Sequence, residues 1–171
     1  MTATKVVSSN LVSEAWNNVY SILTDRTLFS DPSGTSSSRR KWIYSRPPDT
    51  KKPGFSYPYV VVYPATIDRG SEFRTANGQR QHYSWLIEVE IVSTDRGKND
   101  EEGSGLALCD EIADSVFSVF NGSTVRTTLR NNGLLFSQVD GGGTPVIEAE
   151  NNQLVFRRTL FLRFNGQKKV F

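Results

Sequence analysis

Apolar and polar residues alternate along the middle of this chain with a period of two. Tyr83, Trp85, Ile87, Val89 and Ile91 fall on one side of an extended backbone, and Ser84, Leu86, Glu88, Glu90 and Val92 on the other. Strict alternation marks a strand with one buried and one outward face, so Gln81–Ser93 is expected to be a long strand with Glu88 and Glu90 toward solvent or a partner. A second alternation runs through Gln153–Phe164. Leu154, Phe156, Leu160, Leu162 and Phe164 share one face, interrupted by Arg158, while Val155, Arg157, Thr159, Phe161 and Arg163 share the other. Shorter β-branched or aromatic runs at Tyr57–Tyr63, Leu134–Val139 and Val146–Glu150 read as further strands. Asn151-Asn152 suits a two-residue hairpin turn, because Asn tolerates positive φ.

Two stretches switch to the helical period. Val12, Ala15, Trp16, Val19, Ile22 and Leu23 form one stripe, capped by Ser9 or Asn10 and ending near Asp25. Cys109, Ile112, Ala113, Val116, Val119 and Phe120 form another, stopped by Asn121-Gly122. Long antiparallel strands with two helices predict an α+β fold, a mostly antiparallel sheet with both helices packed on one face. The expected core contains Trp16, Val19, Trp85, Ile87, Val89, Ile112, Val116, Leu160 and Leu162.

Two segments resist the pattern. Residues 28–56 are punctuated by Pro, Gly and Ser and read as irregular loop, with room for one short strand at Trp42–Tyr44. Between the Tyr57 and Gln81 strands lies a polar connection, Thr66–Gln81, too long for a tight turn and too polar for core. Such connections are functional or unstructured, and this one is expected to project as a long β-hairpin arm. Arg69, Arg74 and Arg80 would act there as polar clamps, with Glu72 among them and Phe73 as an apolar anchor. Glu88 and Glu90, or the acidic loop Asp100–Glu102, offer the opposite charge. These residues (Arg69, Glu72, Phe73, Arg74, Arg80, Glu88 and Glu90) are the candidate subunit interface.

At 171 residues and 19.1 kDa the chain reads as one domain, 1–171, with ample length for a core. Its net charge of +2 weakens a case for strong nucleic-acid affinity, which rests on many phosphate neutralisations. One alternative survives that objection. Arg39-Arg-Lys-Trp-Ile-Tyr-Ser-Arg46 with Lys51, Lys52, Phe55, Tyr57 and Tyr59 interleaves basic and aromatic residues, as a single-stranded nucleic-acid-binding surface does. The bland reading packs those rings on the body. No apolar run reaches membrane-spanning length and the N-terminus lacks a signal-peptide core, so synthesis in the cytoplasm and no membrane partner are expected.

Catalysis lacks parts. His82 is the sole histidine, and Cys109, the sole cysteine, sits on an apolar helical stripe where cysteines are inert. An EF-hand loop starting at Asp95 would need Gly and Glu where Asp100 and Leu106 stand. Gly103-Ser-Gly105 lacks the third glycine of a dinucleotide loop and follows three carboxylates. Gly141-Gly-Gly143 lacks the P-loop lysine. The sequon at Asn121 stands at a helix stop and reads as chance. No enzymatic activity, cofactor or metal is expected.

The order of elements resembles the tail terminator (tail completion) proteins of long-tailed bacteriophages and their neck and minor tail relatives. The resemblance rests on the helix Leu11–Leu23, the run Tyr57-Pro-Tyr-Val-Val-Val-Tyr63, the strand Trp85-Leu-Ile-Glu-Val-Glu-Ile-Val92, the helix Leu106–Phe120 and the closing Val155-Phe-Arg-Arg-Thr-Leu-Phe-Leu-Arg-Phe164. It covers most of residues 8–165 as a pattern without a diagnostic motif, and residues 28–56 have no counterpart. It implies a non-enzymatic virion protein at the head-proximal end of the tail. There it would form a hexameric homo-oligomeric ring that ends tube polymerisation, meets the tail tube protein and the head–tail connector, and has DNA near its lumen. A neck or head-completion protein is the variant reading.

Overall fold

The computed structural model describes residues 10–32, 40–53, 55–68, 80–95, 104–141, 145–150 and 153–169. Its elements run α1 (Asn10–Thr24), β1 (Ile43–Tyr44), β2 (Tyr59–Val62), β3 (Thr66–Asp68), β4 (Arg80–Thr94), α2 (Ser104–Asn121), α3 (Ser123–Asn131), β5 (Leu134–Gly141), β6 (Val146–Glu150) and β7 (Gln153–Lys169). Among the described residues the architecture is α+β, with three helices and a mixed seven-stranded sheet.

The two long alternating strands are the spine. β4 and β7 pair antiparallel without a break from Arg80↔Lys169 to Thr94↔Val155. Each outer side of this ladder carries two shorter strands end to end. β2 and β3 pair with β4, while β5 and β6 pair with β7. The one parallel contact is β1 against β2 at the edge. On the helix side, the rows Val62–Val89–Leu160, Ile87–Leu162–Val139 and Trp85–Phe164–Phe136 follow from the register. Their central residues Val89, Leu160, Ile87, Leu162 and Phe164 are fully buried, together with Ala15, Val19 and Leu23 of α1 and Cys109, Val116 and Phe120 of α2. Of the expected core, only Trp16 is half-buried; it stacks on Tyr20 and its indole N–H donates to Val62 O at 3.0 Å.

Two expectations change. A third helix, α3, follows α2 after Gly122, whose φ of −62° and ψ of 137° bend the chain between them. Its nine residues are amphipathic but Ser/Thr/Arg-rich, with Val125 and Leu129 as the buried apolar residues, so they offer little apolar content to read. It ends at Asn132 and Gly133, where φ of +78° needs glycine. Among the described residues of 28–56 the chain is irregular apart from β1, which falls within the short strand expected at Trp42–Tyr44; this stretch nevertheless supplies Phe29, Trp42 and Ile43 to the core, with Phe29 stacked on Trp42 at 4.8 Å. Finally, the arm is shorter than read. Thr66–Asp68 pairs with Leu86–Ser84 as β3, and Arg80 and Gln81 belong to β4. The remaining residues 69–79, and any projecting hairpin they make, lie outside the described residues.

Arg40 fastens the 40–58 segment to the body. Its guanidinium donates to Asp31 Oδ2 at 2.5 Å and Oδ1 at 2.8 Å. It also reaches Ser56 O at 2.9 Å and Pro58 O at 3.0 Å. A planar fork with several fixed donors can do this where an ammonium could not.

Candidate assembly surface

The sheet has a second face, and none of the described helices covers it. At the β1–β2 end of this face Tyr59, Val61, Val92 and Val155 are buried beneath Tyr44, Phe55, Tyr57 and Tyr63. The rings meet mostly edge to face, as Phe55 does with Tyr57 at 5.1 Å and with Tyr59 at 5.3 Å. Burial raises the Tyr59 hydroxyl to about 12, an effect that Arg157 partly opposes.

Beside this aromatic cluster lies an ionic network joining three strands. Arg157 of β7 approaches Glu90 of β4 at 3.3 Å and Glu148 of β6 at 3.0 Å. The Tyr63 hydroxyl donates to the other Glu90 oxygen at 2.7 Å. Burial and that acceptor push Tyr63 well above its ordinary value. Glu90 is thus already committed within its own chain. The network was half visible in the sequence: Glu90 and Arg157 were both placed outward, but only the Val92↔Arg157 register brings them diagonal to each other.

Past the network this face is bare among the described residues. Leu86, Glu88 and Phe161 are half-buried and Arg163 is exposed, its guanidinium 3.3 Å from Asp140. Leu135 of β5 is also exposed. Glu88 and Phe161 are register partners, so the carboxylate stands beside a ring at the centre of the ladder.

The β6–β7 hairpin makes the other unusual surface. Val146, Ile147 and Leu154 are 53%, 56% and 42% exposed, which makes this a concentration of large apolar side chains in contact with water. Val146 shares the open face with Arg157, whereas Ile147 and Leu154 lie on the helix face. Among the described residues β6 pairs only with β7, so its other side is a free edge.

The remaining candidates are placed as follows. Arg69, Glu72, Phe73 and Arg74 lie outside the described residues. The backbone of Arg80 pairs with Lys169 at the start of β4, and His82 pairs with Gln167 nearby. The basic–aromatic stretch is taken up mostly by structure. Trp42 and Tyr59 are buried, Arg40 is bound to Asp31, and Phe55 packs into the aromatic cluster. What remains is an open groove of about 650 Å³ that includes Lys41, Tyr44, Arg46, Lys52 and Phe55. The Lys41 ammonium lies 5.2 Å over the Tyr44 ring, where a base would have to stack.

Cys109 is buried, its sulfur 3.2 Å from Ser93 Oγ, and burial raises its thiol above the ordinary value. Among the described residues no group of three His, Cys, Asp or Glu side chains could hold a metal ion. None of the described helices is long and apolar enough to cross a membrane. No protein-family model matches this chain, and no curated protein matches it in sequence.

Proposed function

We propose that this chain is a structural subunit of a ring at the head-proximal end of a bacteriophage tail tube, where it ends tube growth and meets the head connector. The reading rests first on the resemblance in order and pattern. The observation that carries it is the sheet left unfinished among the described residues: a long ladder with helices on one face, a bare second face around Glu88, Phe161 and Arg163, and a free edge at β6. Such surfaces suit a protein completed by neighbours. Residues 69–79, set between two sheet strands, are the segment proposed to reach a neighbouring subunit or tail component.

The single-stranded nucleic-acid reading is weaker, since its basic and aromatic residues are mostly engaged in holding the 40–58 segment. The neck or head-completion reading shares the same surfaces and differs only in the partner.

The test is assembly with the tail tube protein encoded alongside it. Purified protein should cap tubes of that protein and stop their elongation, as seen by electron microscopy. Replacing residues 69–79 with Asn-Gly should leave the circular dichroism spectrum intact, because β3 and β4 keep their pairing, yet give tubes of uncontrolled length. Tubes that elongate past the intact protein would overturn the terminator reading, and binding to connector but not to tube would select the neck variant.

A further inference from the structure

We infer that the free edge of β6, flanked by Val146, Ile147 and Leu154, is the acceptor for residues 69–79 of a neighbouring copy, which adds to the sheet there as an extra strand. This deepens the ring reading and rests on it.

The first argument is the edge itself. In an antiparallel pair, alternate residues direct their N–H and C=O away from the partner, so β6 offers unpaired backbone groups on the side opposite β7. Proteins ordinarily blunt such edges with charge, proline or a covering element. Here the strand is Val-Ile-Glu-Ala-Glu150, and Val146 and Ile147 are both more than half exposed, one on each face. An edge with exposed apolar residues on both faces, beside the carboxylates of Glu148 and Glu150, suits addition of a basic strand, in which backbone hydrogen bonds give affinity and side chains on each face give register.

The second argument is charge. Residues 69–79 and the adjoining Arg80 contain Arg69, Arg74 and Arg80 against Glu72, while β6 contains Glu148 and Glu150. The loop that holds Asp100, Glu101 and Glu102 would be repelled from the same edge. Phe73 is the large apolar side chain that could rest on Ile147 and Leu154.

The third argument is polarity of the sheet, which makes the donor another molecule. The arm leaves β3 where Asp68 pairs with Ser84, whereas β6 lies level with Thr94 through the Glu148↔Val155 and Val155↔Thr94 pairs. From Ser84 to Thr94 is ten positions along β4, about 33 Å at roughly 3.3 Å per residue. Residues 69–79 are tethered at both ends, so even fully extended they reach no more than about 20 Å from their base. A chain therefore cannot satisfy its own edge. Donor and acceptor at opposite ends of one sheet define a head-to-tail contact, the kind that closes into rings.

The test is cross-linking between full-length variants that each add one cysteine, Phe73→Cys and Ile147→Cys, with a short bismaleimide. The native Cys109 is buried and silent in the folded protein. A cross-linked dimer is expected only when the two variants are mixed. Ala76→Cys repeats the donor side in case Phe73→Cys itself weakens docking, and Ile147→Lys should weaken self-association roughly tenfold or more. Cross-linking of Ile147→Cys with itself would mean that two β6 edges meet, and would overturn the inference. Rings seen by microscopy without any mixed cross-link, from either donor position, would overturn the acceptor assignment while leaving the ring reading standing. Monomers that neither cross-link nor cap tubes would end both.

Discussion

The two faces of the β4–β7 ladder are built from alternate residues of the same strands, yet they hold together by different physics. The helix face is a continuous apolar wall from Trp85 to Leu160, with Ile87, Val89, Leu162 and Phe164 fully buried. Its one charged interruption, Arg158, is met by Asp110 of α2 at 2.5 Å. The open face has an aromatic cluster at one end, a shared carboxylate at Glu90 in the middle, and half-exposed Leu86 and Phe161 beyond. One face loses contacts if a methylene is removed; the other is a set of local interactions that can fail singly. This contrast predicts that equal substitutions will have unequal effects on the two sides.

The largest effect belongs to the helix face. Leu162→Ala should cost about 2–5 kcal/mol in denaturant unfolding, through lost transfer energy and a cavity that Val139, Ile87 and the overlying helices cannot fill. A cost below about 1 kcal/mol would mean that this wall is not close-packed. Next comes the opposite error, too much volume. A Cβ added to Gly166 would sit 2.6 Å from the Trp85 ring and 2.7 Å from Gly133 O. Gly166→Ala should therefore destabilise by about 1–3 kcal/mol and shift the tryptophan fluorescence, since Trp85 must move.

The helix face was also the face that sequence reveals. Burial on one side of a strand writes itself into every second residue, so the alternations at Tyr83–Val92 and Leu154–Phe164 gave both strands, their inward sides and most of the core. Partners were not written there. Arg157 and Glu90 could be placed outward, but their meeting depends on register, a property of two strands together. Phe29 and Trp42 stack across a stretch with no period at all, because their positions are set by Arg40 and by packing rather than by a repeat. α3 escaped because Asn121-Gly122 reads as the end of helical structure and because nine mostly polar residues with two buried apolar side chains, Val125 and Leu129, are too short and too polar to stand out. β3 escaped because three residues at the start of a polar segment become a strand only through β4.

On the open face, Glu90→Gln should cost less, about 1 kcal/mol. It removes one charge-assisted contact but leaves Arg157 its pairing with Glu148 and leaves Tyr63 a neutral acceptor. Chemical denaturation of the full chain checks this. A loss equal to that of Leu162→Ala would make the network as central as the wall and erase the contrast.

The smallest and sharpest comparison is in alkaline solution, where each face has its own titrating group. Cys109 on the helix side has an ordinary value of 9.0, and burial raises it in the fold. Tyr59 on the open side has an ordinary value of 10.0, raised to about 12. In both cases the folded state holds its proton more firmly than the unfolded chain, so stability falls as pH climbs through the interval between the two values. The contribution of Cys109 is intact below pH 9 and starts to fade above it. That of Tyr59 is intact below pH 10 and fades toward about 12. Unfolding free energy measured against pH should bend downward first near 9 and again near 10. Cys109→Ala should remove the first bend without touching the second, and Tyr59→Phe should make the second shallower without removing it, because Tyr44 and Tyr63 also hold their protons above the ordinary value, whatever either substitution does to stability at neutral pH. The test reads slopes rather than levels, so cavity effects cancel. A Tyr59→Phe protein whose stability falls as steeply as before between pH 10 and about 12 would show that burial does not hold the Tyr59 proton.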